Sequence, residues 1–333
     1  MLQRAAQRVQ EVVDRGQIPG AALGVIGLEG VAEVYCAGVK HLDNPDPVTP
    51  ETLFDLASLT KVLFTVPQVL KLVEEGLADL DDPLSRFLPE MAWMQGSELP
   101  QRTLRQLLAH VGGLPAWEPI YTWGGEPNTL KHRVLQHRWS LKPPGEPLYS
   151  DIGYILLGLV LERVRGKLLP EFDLPPGLVF NPKNPLECAA TERDPWRGRV
   201  LQGEVHDENC FALGGATGHA GLFGSLQAIL AYAQSLMGGR VLSPAGLEAL
   251  RRPQHPERAL GWQIPTPGFS GGSLCSPQTL GHTGFTGTGV WLDFGRRYAW
   301  VLLTNRVHSS RQRETGIIEL RKAVGNAIAA EWR

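Results

Sequence analysis

Leu56-Ala57-Ser58-Leu59-Thr60-Lys61 stands at the head of an apolar run that continues from Val62 to Val73. A serine and a lysine three residues apart, entering a helix, put a nucleophile and a base on one face, because residues at that spacing are surface neighbours. The first turn of such a helix also leaves unpaired N–H groups and the positive end of its dipole beside Ser58, which suits a developing oxyanion. The bland alternative is an N-cap, the commonest task of a serine before an apolar helix. Six residues do not separate the two readings. The rest of the chain must supply a second base and an oxyanion strand.

Upstream, residues 2–16 read as an amphipathic helix with Val9, Val12 and Val13 on one side. Ala21–Gly27 and Val31–Val39 are β-rich runs joined by the hairpin signal Leu28-Glu29-Gly30. Downstream of Ser58 the apolar spacing predicts a helix buried on much of its circumference, kinked or missing a hydrogen bond at Pro67, and closed near Gly76. Thr103 caps Leu104–His110, a polar helix covers Leu130–Trp139, and an apolar one, Ile152–Val164, follows the turn Pro143-Pro144-Gly145. Residues 170–200 are proline-rich and irregular. Six glycines between Gly203 and Gly224 require unusual backbone angles or close approach of other chain. Leu226–Met237 and Pro244–Arg251 read as helices, Leu280–Thr283, Gly289–Phe294 and Tyr298–Thr304 as strands, and Glu314–Trp332 as a last helix. Strands at both ends with helices between predict an α+β fold: an antiparallel sheet built from both chain termini, flanked by helices, with an inserted, mostly helical lobe. The expected division is 1–75 with 215–333 for the sheet lobe and 76–214 for the helical lobe, with the active site between them.

The 333 residues are 43% hydrophobic and 20% charged, with a formal net charge of −2, which points away from nucleic acid and from anionic membrane surfaces. No apolar run approaches the roughly 20 residues of a membrane span. Met1-Leu2-Gln3-Arg4 passes straight into the first helical pattern without the layout of a signal peptide. The expected location is therefore cytoplasmic, or periplasmic or secreted if a leader has been removed. Cys36, Cys188, Cys210 and Cys275 are scattered, with no zinc spacing, and read as free buried thiols. His206, Asp207 and His219 match no usual ligand set, so no metal or cofactor is expected, and that segment reads as a hydrogen-bonded loop near the cleft.

Two further strings turn the serine–lysine pair into a site. Tyr149-Ser150-Asp151 lies about ninety residues on, and His282-Thr283-Gly284 lies on a strand near the C-terminus. In this order the three resemble the S-x-x-K, Y-x-N and K/H-T-G boxes of the serine β-lactamase and penicillin-binding-protein superfamily, within its class C β-lactamase, D-Ala-D-Ala carboxypeptidase and esterase branch. Leu107–Pro115, Pro144–Asp151, Val205–Asn209, Gly218–Phe223 and His282–Gly287 extend the resemblance over most of the chain. It implies β-lactamase/transpeptidase-like architecture and an acyl-enzyme on Ser58. Lys61, desolvated and lowered in pKa, would share the work of a base; Tyr149 would be the second base and protonate the leaving group. The N–H groups of Ser58 and Phe285 would hold the oxyanion, with His282, Thr283 and Gly284 as the strand wall.

Two positions depart from the β-lactamase pattern. Asp151 replaces the usual asparagine, an acceptor or second charge instead of an amide donor, and reads equally as a cap for the next helix. His282 replaces the usual lysine, giving a weaker, pH-dependent cation, as also met among carboxypeptidase members. Both changes count against β-lactam hydrolysis and leave acyl-enzyme chemistry intact. The expected function is a serine hydrolase acting on a small-molecule ester, amide or peptide, esterase or D-amino-acid peptidase-like. A β-lactamase or acyltransferase on the same site, or a non-catalytic penicillin-binding-like scaffold, are the alternatives. Oligomeric state is not legible. Ser150 and His110 read as structural, and Trp117 and Trp123 either line the pocket or pack the helical lobe.

Overall fold

In the computed structural model, which describes residues 2–30, 32–93 and 96–332, the chain ends build a five-stranded antiparallel sheet. Helix α1 (Gln3–Asp14) leads into the hairpin of β1 (Gly20–Gly27) and β2 (Ala32–Gly38). Val31, expected to open the second strand, lies outside the described residues. The two-residue strand β3 (Phe54–Asp55) precedes Ser58, and α2 (Val66–Glu74) follows it. The middle of the chain contributes α3 (Leu84–Phe87), α4 (Leu104–Leu108), α5 (Pro127–Gln136) and α6 (Asp151–Arg165). Short strands β4 (Leu178–Phe180), β5 (Arg193–Asp194) and β6 (Arg199–Val200) precede α7 (Glu208–Ala212) and β7 (Leu222–Gly224). Helices α8 (Leu226–Met237) and α9 (Pro244–Arg251) lead to β8 (Thr279–Thr283), β9 (Gly289–Asp293) and β10 (Tyr298–Thr304), and α10 (Ile317–Glu331) closes the fold.

The large sheet runs β2-β1-β10-β9-β8, with β1 and β10 paired from Ala21↔Thr304 to Gly27↔Tyr298. Side chains alternate across it as strand geometry requires. Ala21, Leu23 and Val25 share an apolar cluster with Val9 of α1 and Leu320, Val324 and Ile328 of α10. Ala22 and Ile26 join Leu226 and Leu230 of α8 on the opposite face. A Cβ on Gly24 would lie 2.5 Å from Leu230 Cδ1, so α8 rests directly on the strand. With both faces covered, β1 is buried along its whole length.

Several elements differ from expectation. The helix behind Ser58 is not one kinked rod: it starts as a turn, passes through a π-helical stretch, Lys61–Thr65, and becomes regular only at Val66. Pro67 follows that stretch directly as the second residue of α2, where it offers no N–H to the helical turn before it, and the irregularity lies ahead of it. Helix α5 begins at Pro127, where a missing N–H costs little, and ends at Gln136, before Trp139. The 170–200 stretch, expected to be irregular, contributes β4 to a three-stranded sheet with β3 and β7, and holds the β5–β6 hairpin. Strands of two or three residues carry no readable period. All four cysteines are free; Cys188 and Cys210 are buried, while Cys36 and Cys275 are only partly so. No described helix is long and apolar enough to cross a membrane.

Candidate active site

Strand β3 delivers the chain to Ser58. The buried Asp55 carboxylate accepts from Ala57 N–H at 2.8 Å and from His206 N–H at 2.6 Å. These bonds hold Ala57 in the left-handed region, at φ 46°, uncommon for a residue with a side chain and a local cost confined to the residue before Ser58. Ser58 caps no helix; its Oγ faces Lys61 Nζ at 3.0 Å. Lys61 is fully buried, and its ammonium also meets His219 O at 3.0 Å and Asp151 Oδ1 at 2.7 Å. The Tyr149 ring stands beside the Lys61 ammonium, its centroid 4.9 Å from Nζ, and its phenol interacts with Ser58 as well. The expected lowering of the lysine pKa does not occur. Burial pulls Lys61 down, but the Asp151 carboxylate and then Tyr149 outweigh it, so it stands above its ordinary value. Burial pushes the Tyr149 phenol up, against the pull of Lys61.

Tyr149 is held by the end of α4. His110, at φ 59°, stops that helix, and its carbonyl accepts Leu148 N–H at 2.8 Å while its Nδ1 accepts Ser150 N–H at 3.0 Å. The imidazole stacks on the Tyr149 ring, centroids 4.5 Å apart, and burial keeps it neutral. Ser150 Oγ accepts from Gly153 N–H and donates to Pro115 O, so Ser150 caps α6 and the Asp151 carboxylate is free to pair with Lys61.

On β8, His282 lies 6.0 Å from the Tyr149 ring. The expectation of a pH-dependent cation there is corrected. His282 is buried, its Nδ1–H donates to Thr283 O at 3.0 Å, and burial, then the Lys61 and Arg258 charges, hold its pKa well below the ordinary value. The fixed cation on this side is Arg258, whose guanidinium lies 5.6 Å from the Tyr149 ring and whose Nη1 is buried without a partner. Sequence reasoning missed it, because a lone loop arginine reaches Tyr149 only through the long-range pairing of Gln263 with Gly281.

The β8–β9 turn is fastened to the segment before Ser58. Thr286 Oγ1 donates to Asp55 O at 2.7 Å and Thr288 Oγ1 to Leu56 O at 3.1 Å. Arg321 braces the same turn through Gly284 O and Thr288 O. A Cβ on Gly284 would lie 2.5 Å from Leu56 O, which only glycine permits. Among the described residues, the N–H groups of Ser58 and Phe285 have no protein acceptor. Thus Ser58, Lys61, Tyr149, Asp151, His282 and the Thr283-Gly284-Phe285 corner come together. The Phe285 ring is exposed, stacked on His206 at 5.6 Å.

His206 Nε2 meets Glu192 at 3.0 Å, not His219, while His219 Nε2 meets Asp207 at 2.9 Å. Donor atoms of Asp151, Asp207 and His219 lie within 4.8 Å of one another, close enough to surround a cation. They do not fit a metal, because Asp151 already pairs with the Lys61 ammonium and Asp207 with His219 and Cys210 N–H. The two tryptophans divide: Trp123 packs on His137 and Trp139, whereas Trp117 is exposed beside Ala116, whose carbonyl accepts Asp151 N–H.

The family model described as Beta-lactamase matches residues 5–324. The chain belongs to the beta-lactamase family. A relative from Salmonella agona named as a D-alanyl-D-alanine carboxypeptidase is 32% identical over 328 residues, covering 84% of this chain and 75% of the relative. Among solved structures, simvastatin synthase LovD from Aspergillus terreus superposes with a TM-score of 0.75 at 20% identity over 99% of this chain and 98% of its own. The class C beta-lactamase of Rhodobacter sphaeroides gives 0.74 at 21% identity, over 98% and 99%. EstCE1, a hydrolase with promiscuous acyltransferase activity, gives 0.77 at 21% identity, again over 98% and 99%. This beta-lactamase-family protein is accordingly an enzyme, a serine hydrolase, with the α+β fold of its structural neighbours.

Proposed function

We propose that this serine hydrolase is a carboxypeptidase-type enzyme acting on peptides that end in a D-amino acid with a free carboxylate. The observation that carries the reading is a cavity of about 370 Å³ beside β8, lined by Arg258, Thr283 and Arg321 together with Glu257 and Ser270. Arg258 Nη1 and Arg321 Nε are both buried without partners. Two guanidiniums against one exposed carboxylate leave the cavity suited to an anionic leaving group. The names of the curated relatives support the same substrate class.

In the proposed reaction the Lys61–Tyr149 pair first gives one proton to solvent, leaving Tyr149 as the phenolate beside the Lys61 ammonium. Ser58 Oγ then attacks the scissile carbonyl, its proton passes to the Tyr149 oxygen, and the carbonyl oxygen becomes an anion between the N–H groups of Ser58 and Phe285. Collapse breaks the C–N bond, and Tyr149 returns the proton to the departing amine. Water then repeats the sequence on the acyl-enzyme. Lys61 donates to Ser58 Oγ throughout and stabilises negative charge, while His282, Thr283 and Gly284 form the wall along which the substrate lies.

The test compares kcat/KM for a peptide ending in D-alanyl-D-alanine with that for its C-terminal amide. A buried charge-assisted hydrogen bond, about 1.5–3 kcal/mol, predicts a preference for the free acid of about 10- to 150-fold. Arg258→Gln should remove that preference, and Ser58→Ala should abolish turnover of both. Equal rates for acid and amide, or turnover that survives Ser58→Ala, would sink the proposal. Penicillin turning over faster than the peptide would favour a β-lactamase, and preferential transfer to an added alcohol an acyltransferase.

A further inference from the structure

The Lys61 ammonium donates to Ser58 Oγ and to His219 O, each at 3.0 Å, and forms an ion pair with Asp151 Oδ1 at 2.7 Å. An ammonium has no lone pair to offer. Of these partners only Asp151 carries charge, and it reaches the site because Ser150 has taken the capping of α6. The other carboxylate nearby, Asp207 before α7, is committed to His219 and Cys210 N–H. The remaining groups facing the pair are His110 from the end of α4 and His282 from β8, both neutral, the Tyr154 phenol from α6, and the Arg258 cation from the loop before β8.

We propose that Asp151 is a positioning residue whose carboxylate holds the Lys61–Tyr149 pair in its protonated state, so that this side chain, and not the lysine, sets the pH at which Ser58 acquires a base. The inference rests on the Ser58 acyl-enzyme reading above. Lys61 and Tyr149 titrate as one coupled unit, and a fixed negative charge beside such a unit makes its first proton harder to lose, whichever group releases it. Asparagine at 151 keeps the size and the hydrogen-bonding reach and removes that charge. The first proton then leaves at lower pH.

The experiment is the pH dependence of kcat/KM on a neutral activated aryl ester, which does not depend on the anion-suited cavity. Wild type, Asp151→Asn and Asp151→Glu are compared, with thermal unfolding reporting that each is folded. The alkaline-rising limb should move down by about one pH unit or more in Asp151→Asn, the scale of one charge within a few ångströms, and stay near its wild-type position in Asp151→Glu. An unmoved limb in Asp151→Asn, or an equal movement in Asp151→Glu, overturns the proposal. In wild-type protein carrying lysine labelled with 13C at Cε, the Lys61 signal, assigned with Lys61→Arg, should hold the ammonium position at pH 7. A neutral-amine position there overturns it too, even where the Asn variant fails to fold. Ser58→Ala separates the two levels: activity surviving that change defeats the acyl-enzyme reading, whereas inactive Ser58→Ala with an unmoved Asp151→Asn limb defeats only this inference.

Discussion

Gly158, in the middle of α6, is the position where replacing glycine by alanine should invert its usual effect. In an ordinary helix interior the change stabilises by up to about 1 kcal/mol. Here a Cβ would sit 2.6 Å from Gly218 N and 3.1 Å from Gly218 Cα, backbone atoms of the loop whose next residue, His219, holds Lys61 through its carbonyl. Backbone cannot rotate away as a side-chain tip can, so helix and loop must part. Overpacking of this kind costs about 1–3 kcal/mol, which after the ordinary gain leaves a net loss of up to about 2 kcal/mol. With about 2.1 cal/mol/K of unfolding entropy per residue, a loss of 2 kcal/mol lowers Tm by about 3 °C in a chain of this size. The displaced carbonyl should also reduce kcat by about tenfold, since sub-ångström misplacement of catalytic groups is felt steeply. Gly153→Ala is the control: its Cβ would meet only Leu107 and Ser150 side-chain atoms at 3.6 Å and beyond, so it should raise Tm or leave it unchanged. Calorimetry and initial rates on the two variants decide the matter. A Gly158→Ala protein that melts higher than wild type with unaltered kcat would refute the close-approach argument.

Two further outcomes follow from other contacts. Asn209 is fully buried and clamps the Trp117 loop by donating to Glu118 O at 2.8 Å and accepting Tyr121 N–H at 3.0 Å. Asn209→Ala should cost about 1–3 kcal/mol and speed amide exchange across residues 116–123; unchanged exchange there would argue against the clamp. His110 and His282 are both held neutral, well below the ordinary histidine value, by burial and then by neighbouring cations. The unfolded chain therefore binds more protons below about pH 6.5, and stability falls as the pH falls. Two such groups predict about 3 kcal/mol less stability at pH 5.5 than at pH 7.5. Denaturant titrations at the two pH values check this, and a flat result would place a proton on one of these rings in the fold.

What could be read beforehand was what is local. Ser58, Lys61 and Tyr149 announce themselves within short strings, and the strands of the large sheet carry enough apolar length to be found. The charge state of Lys61 was not legible, because it depends on a carboxylate ninety residues away that burial alone would not have suggested. The same holds for His282, whose neutrality follows from enclosure, not from residue type. Thr286, Thr288, Asp55, Arg258 and Arg321 assemble the corner around Ser58 solely through contacts between distant segments. Nothing at the level of spacing distinguishes them from ordinary loop and helix polar residues.

The pairing of β1 with β10 has a consequence for how the enzyme comes into being. About 270 residues separate Gly27 from Tyr298, so one edge of β1 has no partner until nearly the whole polypeptide has been made. At ordinary rates of synthesis that interval is on the order of tens of seconds, during which an apolar strand awaits its neighbour. Closing a sheet across such a span is slow for the same entropic reason, and exposes the waiting edge to association with other chains. Because Ser58 lies on the early side of that gap and Phe285 on the late side, no nascent fragment ending before β8 can carry the complete nucleophile and oxyanion pair. Hydrolytic competence should therefore arrive late and all at once, making activity a sensitive reporter of completed folding in this chain.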